Sequence, residues 1–169
     1  MSTVCASTST SIANLCALSK RSWTLGELFD LFPELRVPSD VARRCVEPLR
    51  GHGRFLREKA GERNFAEVSL HVTPALEFSV VVGNASVGAG TANEDVIVRA
   101  VLQGILSGAI RNQPPAWACR VECMEAIANP ISAVSMSVAA SLAMQDALAK
   151  PGWDPPDPML DSAQAAKIA

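Results

Sequence analysis

The chain has 169 residues, 49% of them hydrophobic, which is the length of one ordinary domain and enough apolar surface for one core. Charge or proline interrupts every apolar run short of the roughly 18 residues that a bilayer-spanning helix needs, which excludes a membrane span. The formal net charge of −2 hides an asymmetry, nine Lys/Arg against six Asp/Glu in residues 1–60 and six against eleven afterwards, so a basic segment precedes an acidic one.

Residues 1–23 read as a tail. Ser and Thr abound there, Lys20 and Arg21 supply charge, Ile12, Leu15 and Leu18 supply apolar side chains, and the first acidic residue is Glu27. That composition suits either a mitochondrial or chloroplast transit segment or a plain polar tail. Thr24 and Glu27 have the spacing of a capping box, so a short helix through Leu25, Leu28, Phe29 and Phe32 follows and stops at Pro33. Ser39 is placed to cap a further short helix, and Gly51-His52-Gly53 breaks the chain. Residues 24–60 are thus expected to be a helical, basic segment. Its cations Arg43, Arg44, Arg50, Arg54, Arg57 and Lys59 either contact RNA or a partner or simply solvate a helix.

The expected α/β core spans residues 61–150. Ala66, Val68, Leu70 and Val72 alternate with Glu67, Ser69 and His71, the period of a half-buried strand. After Thr73-Pro74-Ala75 a second strand, Leu76 to Val82, is expected to close a hairpin with the first. Thr91 and Glu94 form another capping box, and Val96, Val101, Leu102, Ile105, Leu106 and Ala109 recur at helical spacing until Pro114-Pro115. Trp117, Cys119, Val121 and Cys123 alternate as a third strand. Ser132 to Lys150 is an Ala-rich helix, apolar almost all round, as a helix packed on several sides would be. Pro151 ends it, and residues 151–169 form a second tail. With aromatics at 5% and no Tyr, this core depends on Ala, Val, Leu and Ile and on close approach of its elements.

Candidate sites are few. The segment Gly83–Thr91 lies between a strand and a capped helix, where amides of Gly88, Gly90 and Thr91 offer an anion site. Ala89 and Gly90 stand where a phosphate loop carries its Lys before Ser/Thr. Five Cys at irregular spacing argue against a secreted disulfide framework and for a reducing compartment. Cys119 and Cys123 share a strand face but lack the further ligands of a structural zinc, so they read as core thiols. His71 falls on the polar face of its strand, and the Asn84-Ala85-Ser86 sequon is idle in a protein that is not secreted. No metal and no cofactor is expected.

The words GTANEDVIVRAVLQGIL (90–106), RVECMEAIANP (120–130) and ISAVSMSVAASLAMQDA (131–147) resemble the ribonuclease PH superfamily, most closely the first core of polynucleotide phosphorylase. Order and spacing agree over about 60 residues of packing sequence. The resemblance implies an α+β fold, a small sheet with two long helices in a partial ribonuclease-PH-like (ribosomal protein S5 domain 2-like) core with extended tails. It also implies that chemistry has been lost. The family's cationic positions read Ala100, Gly104 and Ser107, with Arg99 one place off, and its phosphate-holding Arg position reads Ala133. The chain is expected to end before the family's catalytic Asp.

Two functions are consistent with these residues. One is a non-catalytic structural subunit of a larger RNA–protein assembly, mitochondrial or otherwise cytoplasmic, partnered by other protein subunits and with RNA contacts in the basic segment and at Arg99. The other is a small anion- or nucleotide-binding enzyme that uses the Gly83–Thr91 loop.

Overall fold

The structure is a computed structural model that describes residues 21–37, 43–83, 94–111 and 115–154. Among these, the order is β1 (Ser22–Thr24), α1 (Leu25–Leu31), a 3-10 turn (Pro33–Leu35), β2 (Arg43–Arg44), β3 (Leu49–Lys59), β4 (Glu62–Pro74), β5 (Ser79–Val82), α2 (Glu94–Arg111), β6 (Ala116–Asn129) and α3 (Ala133–Ala149). The fold is α+β: a mixed sheet ordered β1-β5-β6-β4-β3, with β2 beside the start of β6 and α2 and α3 packed together on one sheet face. No described helix is long and apolar enough to cross a membrane.

Alternation sorts the strands into two faces. Ala66, Val68, Leu70 and Val72 of β4 and Cys119, Val121 and Cys123 of β6 point toward the helices and are buried. Opposite them, Glu67, Ser69, His71 and Thr73 lie half-buried on a face that no described helix covers. Thr24 caps α1 as its spacing requires: its hydroxyl accepts from the Glu27 amide at 3.3 Å, and Glu27 accepts from the Thr24 amide at 2.9 Å. Ser132 caps α3 by accepting from the Ser135 amide at 3.4 Å.

Glycines set how closely the layers meet. A Cβ at Gly51 would run into the carbonyl oxygen of Ala143, and one at Gly53 into that of Ala139 and the amide of Ala143. On α2, a Cβ at Gly104 would strike the Ser137 carbonyl, and one at Gly108 would stand 2.7 Å from the Ser141 oxygen. Helix α3 is therefore gripped at backbone distance by β3 beneath and α2 beside it. Its contacting residues Ala139, Ala140, Ala143 and Ala147 are all fully buried.

This contact explains why the later part of the basic segment, Leu49–Lys59, is a strand and not a helix. Leu49, Gly51, Gly53 and Phe55 form the inward set of an 11-residue strand, and Arg50, His52, Arg54 and Leu56 the outward set. The period of two is hidden because two inward residues are Gly, which reads as a break. The N-terminal tail also ends earlier than expected: Trp23 is buried and pairs in register with Val80. Nor do β4 and β5 form a hairpin. The 14-residue β6 lies between them, antiparallel to β4 and parallel to β5, and covers the inner edge of a β5 too short to hold a sheet position by itself. At the other end, residues 151–154 are strapped down. Val46 donates to Gly152 O and Asp154 to Arg44 O, both at 2.9 Å, and the Trp153 indole donates to Ala147 O at 3.0 Å. The expected helix at Ser39 and residues 155–169 lie outside the described residues.

Replacing Gly53 with Ala is expected to overpack the β3–α3 contact and lower stability by about 1–3 kcal/mol, read as a lower urea midpoint. Gly26, within α1 and with nothing within 4 Å of a new Cβ, serves as the control: its Ala variant should be unchanged or stabilised by up to about 1 kcal/mol.

Candidate nucleic-acid interface

Pairing between β4 and β6 ends at Phe65↔Asn129, whereas β3 and β4 continue together through Arg57↔Asn64, Glu58↔Arg63 and Lys59↔Glu62. The hairpin thus overhangs the sheet by roughly 10 Å at strand rise. Ala60 (φ 52°) and Gly61 (φ 83°) turn it in the left-handed region, the backbone of a two-residue hairpin loop.

This arm gathers charge. Arg50, Arg54, Arg57 and Lys59 on β3 and Arg63 on β4 stand against Glu58, Glu62 and Glu67. Arg63 approaches Glu58 at 3.6 Å. Among the described residues no carboxylate lies in ion-pair range of Arg50, Arg54, Arg57 or Lys59. The Arg54 guanidinium instead sits 5.1 Å from the centre of the Phe65 ring. Glu67, directly across from Arg54, is turned to His52 Nε2 at 2.7 Å.

The outer edge of β3 is latched to the end of α3. Asp146 Oδ2 accepts from the His52 amide at 2.9 Å, Lys150 Nζ donates to the Arg50 carbonyl, and the two side chains pair at 3.3 Å. The His52 amide, followed by Lys150, holds the Asp146 carboxyl below the usual carboxylate range against a smaller opposing effect of burial. Next to the latch opens a cavity of about 260 Å³ lined by Arg50, His52, Ser69, His71, Met124 and Lys150 among others. Across the same sheet face, His71 stands opposite Glu122 and Ser69 opposite Glu125. Leu56, Met124 and Ile127 add exposed apolar surface.

Four of the cations singled out from sequence therefore share β3, Arg50 and Arg54 on its outward face and Arg57 and Lys59 in the register of its inward set, past the end of β6. Three do not. Arg43 and Arg44 sit on β2 beside the start of β6, the end remote from the arm, with Arg44 3.9 Å from Asp154. Arg99, on α2, lies 5.2 Å from the Phe32 ring in the helical layer. Gly88, Gly90 and Thr91 lie outside the described residues. Sequence reasoning missed Arg63 and the His52–Ser69–His71 row. Recognising Ala60-Gly61 as a two-residue turn would have folded residues 50–59 onto 62–71 and found them. Cys119 and Cys123 face the core, where burial pushes the Cys119 thiol far up and keeps it an apolar side chain. Among the described residues no three His, Cys, Asp or Glu converge as metal ligands.

No family model and no curated protein matches the chain. A crystal structure of a protein from Thermus thermophilus aligns with it at a TM-score of 0.53 and 20% identity, over 70% of this chain and 18% of that one. The likeness is one of fold, and the chain spans about 18% of that protein's length.

The Asp146 latch makes a pH-dependent contribution. Because its pKa is lower folded than unfolded, the contribution is present at neutral pH and fades as pH falls through the carboxylate range. Asp146→Ala should therefore cost about 1 kcal/mol near pH 7, discounted for exposure, and less in acid, as the carboxylate takes up its proton. Urea unfolding of both proteins at neutral and acid pH checks this; equal losses at both would show that the carboxylate charge is not involved.

Proposed function

We propose that this chain is a non-catalytic architectural subunit of an RNA–protein assembly, built on a partial ribonuclease PH-type core, and that its β3–β4 arm contacts the RNA backbone. The reading rests on one observation: Arg50, Arg54, Arg57 and Lys59 line a single edge strand with no carboxylate paired to them among the described residues. Cations left unneutralised by their own protein are free to displace counterions from phosphates, the main source of nucleic-acid affinity. Arg54 over Phe65 adds a planar surface suited to a base.

Loss of phosphorolytic chemistry is supported by packing. Two of the positions where the resemblance would call for Arg are filled by the helix–helix contact: Ala100 is buried, and Gly104 abuts the Ser137 carbonyl. A guanidinium there would have to enter the core unpaired. Protein partners are supported by the outer side of α3, where Val134, Val138 and Leu142 are exposed four residues apart with no charge between them. The Ser/Thr-rich, acid-free composition of residues 1–23 fits a mitochondrial setting.

Fluorescence anisotropy with a short single-stranded RNA tests the arm. Wild type should bind and weaken steeply between about 50 and 200 mM salt. Arg57→Glu/Lys59→Glu should bind about ten-fold or more weakly, with a log–log salt slope shallower by about one to two. Affinity equal to wild type would remove the arm from the interface, and no wild-type binding at low salt would sink the RNA reading. In addition, the purified chain should release no nucleoside diphosphates from RNA in phosphate buffer; phosphate-dependent turnover would overturn the non-catalytic assignment.

A further inference from the structure

Two cross-strand pairs of the outward sheet face border the cavity beside the Asp146 latch: Arg50 stands opposite His71, and His52 opposite Ser69. Next to them the pairing of β6 steps from Leu70↔Cys123 to Ser69↔Glu125, so Met124 is an extra residue on that strand. A β-bulge of this kind re-aims side chains and is frequent next to active sites. Here it adds the exposed, apolar Met124 to a lining of polar groups.

That lining carries Arg50, Lys150, two imidazoles and a hydroxyl, and no carboxylate. Four acidic residues around it stand outside the lining. Glu67 holds His52 Nε2 at 2.7 Å, Asp146 holds the His52 amide and Lys150, and Glu122 and Glu125 belong to β6. These contacts occupy His52 and part of Lys150, whereas Arg50 and His71 have no ion pair among the described residues. The remaining donors come from three elements. Arg50 of β3 offers its guanidinium fork, and β4 offers the Ser69 hydroxyl and a His71 ring N–H, present in either protonation state. Lys150, just past α3, keeps one proton beyond those directed at Asp146 and the Arg50 carbonyl.

We infer that this cavity binds a terminal phosphate group, carried either by a free small molecule or by the 5′ end of an RNA strand. A carboxylate presents one charge and a single plane of acceptors to such a set of donors. A terminal phosphate carries nearly twice the charge at neutral pH and directs acceptor oxygens to several sides, with the bidentate geometry that a guanidinium matches. The volume of about 260 Å³ lies just under the roughly 300–1,000 Å³ of pockets for drug-sized ligands, which leaves space for part of the group that bears the phosphate. The inference goes beyond the RNA reading above, because Arg57 and Lys59 lie outside the lining.

Titration of the full chain with inorganic phosphate, at neutral pH and constant ionic strength with chloride as the balancing anion, is read at the ring C2–H proton resonances of His52 and His71, the two His of the chain. Both should shift saturably, and acetate should bind about ten-fold or more weakly, the scale of one charge-assisted hydrogen bond. Arg50→Gln should weaken phosphate binding about ten-fold, and His71→Gln, read at His52, about three-fold. Arg50→Lys, which restores the charge without the fork, should recover part of the loss. Each variant is checked for a urea midpoint near that of wild type. Arg36→Gln removes a cation that pairs with Asp30 of α1, at the β1 border of the sheet opposite β3, and should keep affinity within about two-fold of wild type. Absence of saturable shifts, equal binding of acetate, or wild-type affinity in both Arg50→Gln and His71→Gln would overturn the inference. The source of the phosphate is read by anisotropy with a short RNA made with and without a 5′-phosphate. A strand-end ligand makes the phosphorylated RNA bind at least about three-fold more tightly, an advantage that inorganic phosphate abolishes, whereas a free ligand gives equal affinities. The RNA reading fails separately: phosphate shifts without RNA affinity remove the arm and leave the pocket, and RNA affinity that depends on Arg57 and Lys59 without phosphate shifts removes the pocket and leaves the arm.

Discussion

The carbonyl oxygens of Ala139 and Ala143 occupy the space that side chains of β3 would ordinarily fill, and only glycine at positions 51 and 53 leaves that space empty. Helix and strand consequently meet backbone to backbone. Gly104 and Gly108 impose the same closeness between α2 and α3. A core poor in aromatic side chains is filled this way, by drawing elements together instead of inserting bulk between them. Everything proposed for the arm depends on this placement. Because α3 lies so close over β3, its C-terminal Asp146 and Lys150 reach the outer edge of that strand and hold it against the sheet.

Charge is distributed by element. The cations run along β3, the carboxylates Glu122 and Glu125 stand on the central strand β6, and the outer side of α3 carries Val134, Val138 and Leu142 without charge. The molecule thus has surfaces of different character on its two layers. The hairpin is rich in cations, and the outer side of α3 is apolar.

Much of the architecture was legible from periodicity and capping. Thr24–Glu27, the alternation in Ala66–Val72 and in Trp117–Cys123, and the Ala-rich helix after Ser132 all have local causes that need no knowledge of the rest of the chain. What escaped reading is non-local. Glycine in β3 is read as a breaker unless the approaching helix is known, and the insertion of β6 between β4 and β5 depends on a strand that follows only after a long helix. Trp23 reads as part of a tail because its partner, Val80, is remote in sequence. The cations were visible from composition, but their grouping was not. A helix would have spread them around a cylinder, whereas the strand lines up Arg50 and Arg54 and leaves Arg43, Arg44 and Arg99 elsewhere.

An outer strand normally advertises its unused amides and carbonyls to any passing chain. In β3 the His52 amide and the Arg50 carbonyl are already engaged by Asp146 and Lys150, so an extended peptide cannot continue the ladder there. That stretch of the border is thereby closed to strand addition. The protection is chemical as well as steric: once the Asp146 carboxylate takes up a proton in acid, the amide loses its charged acceptor. Well above the carboxylate range the acceptor keeps its charge and that border stays closed.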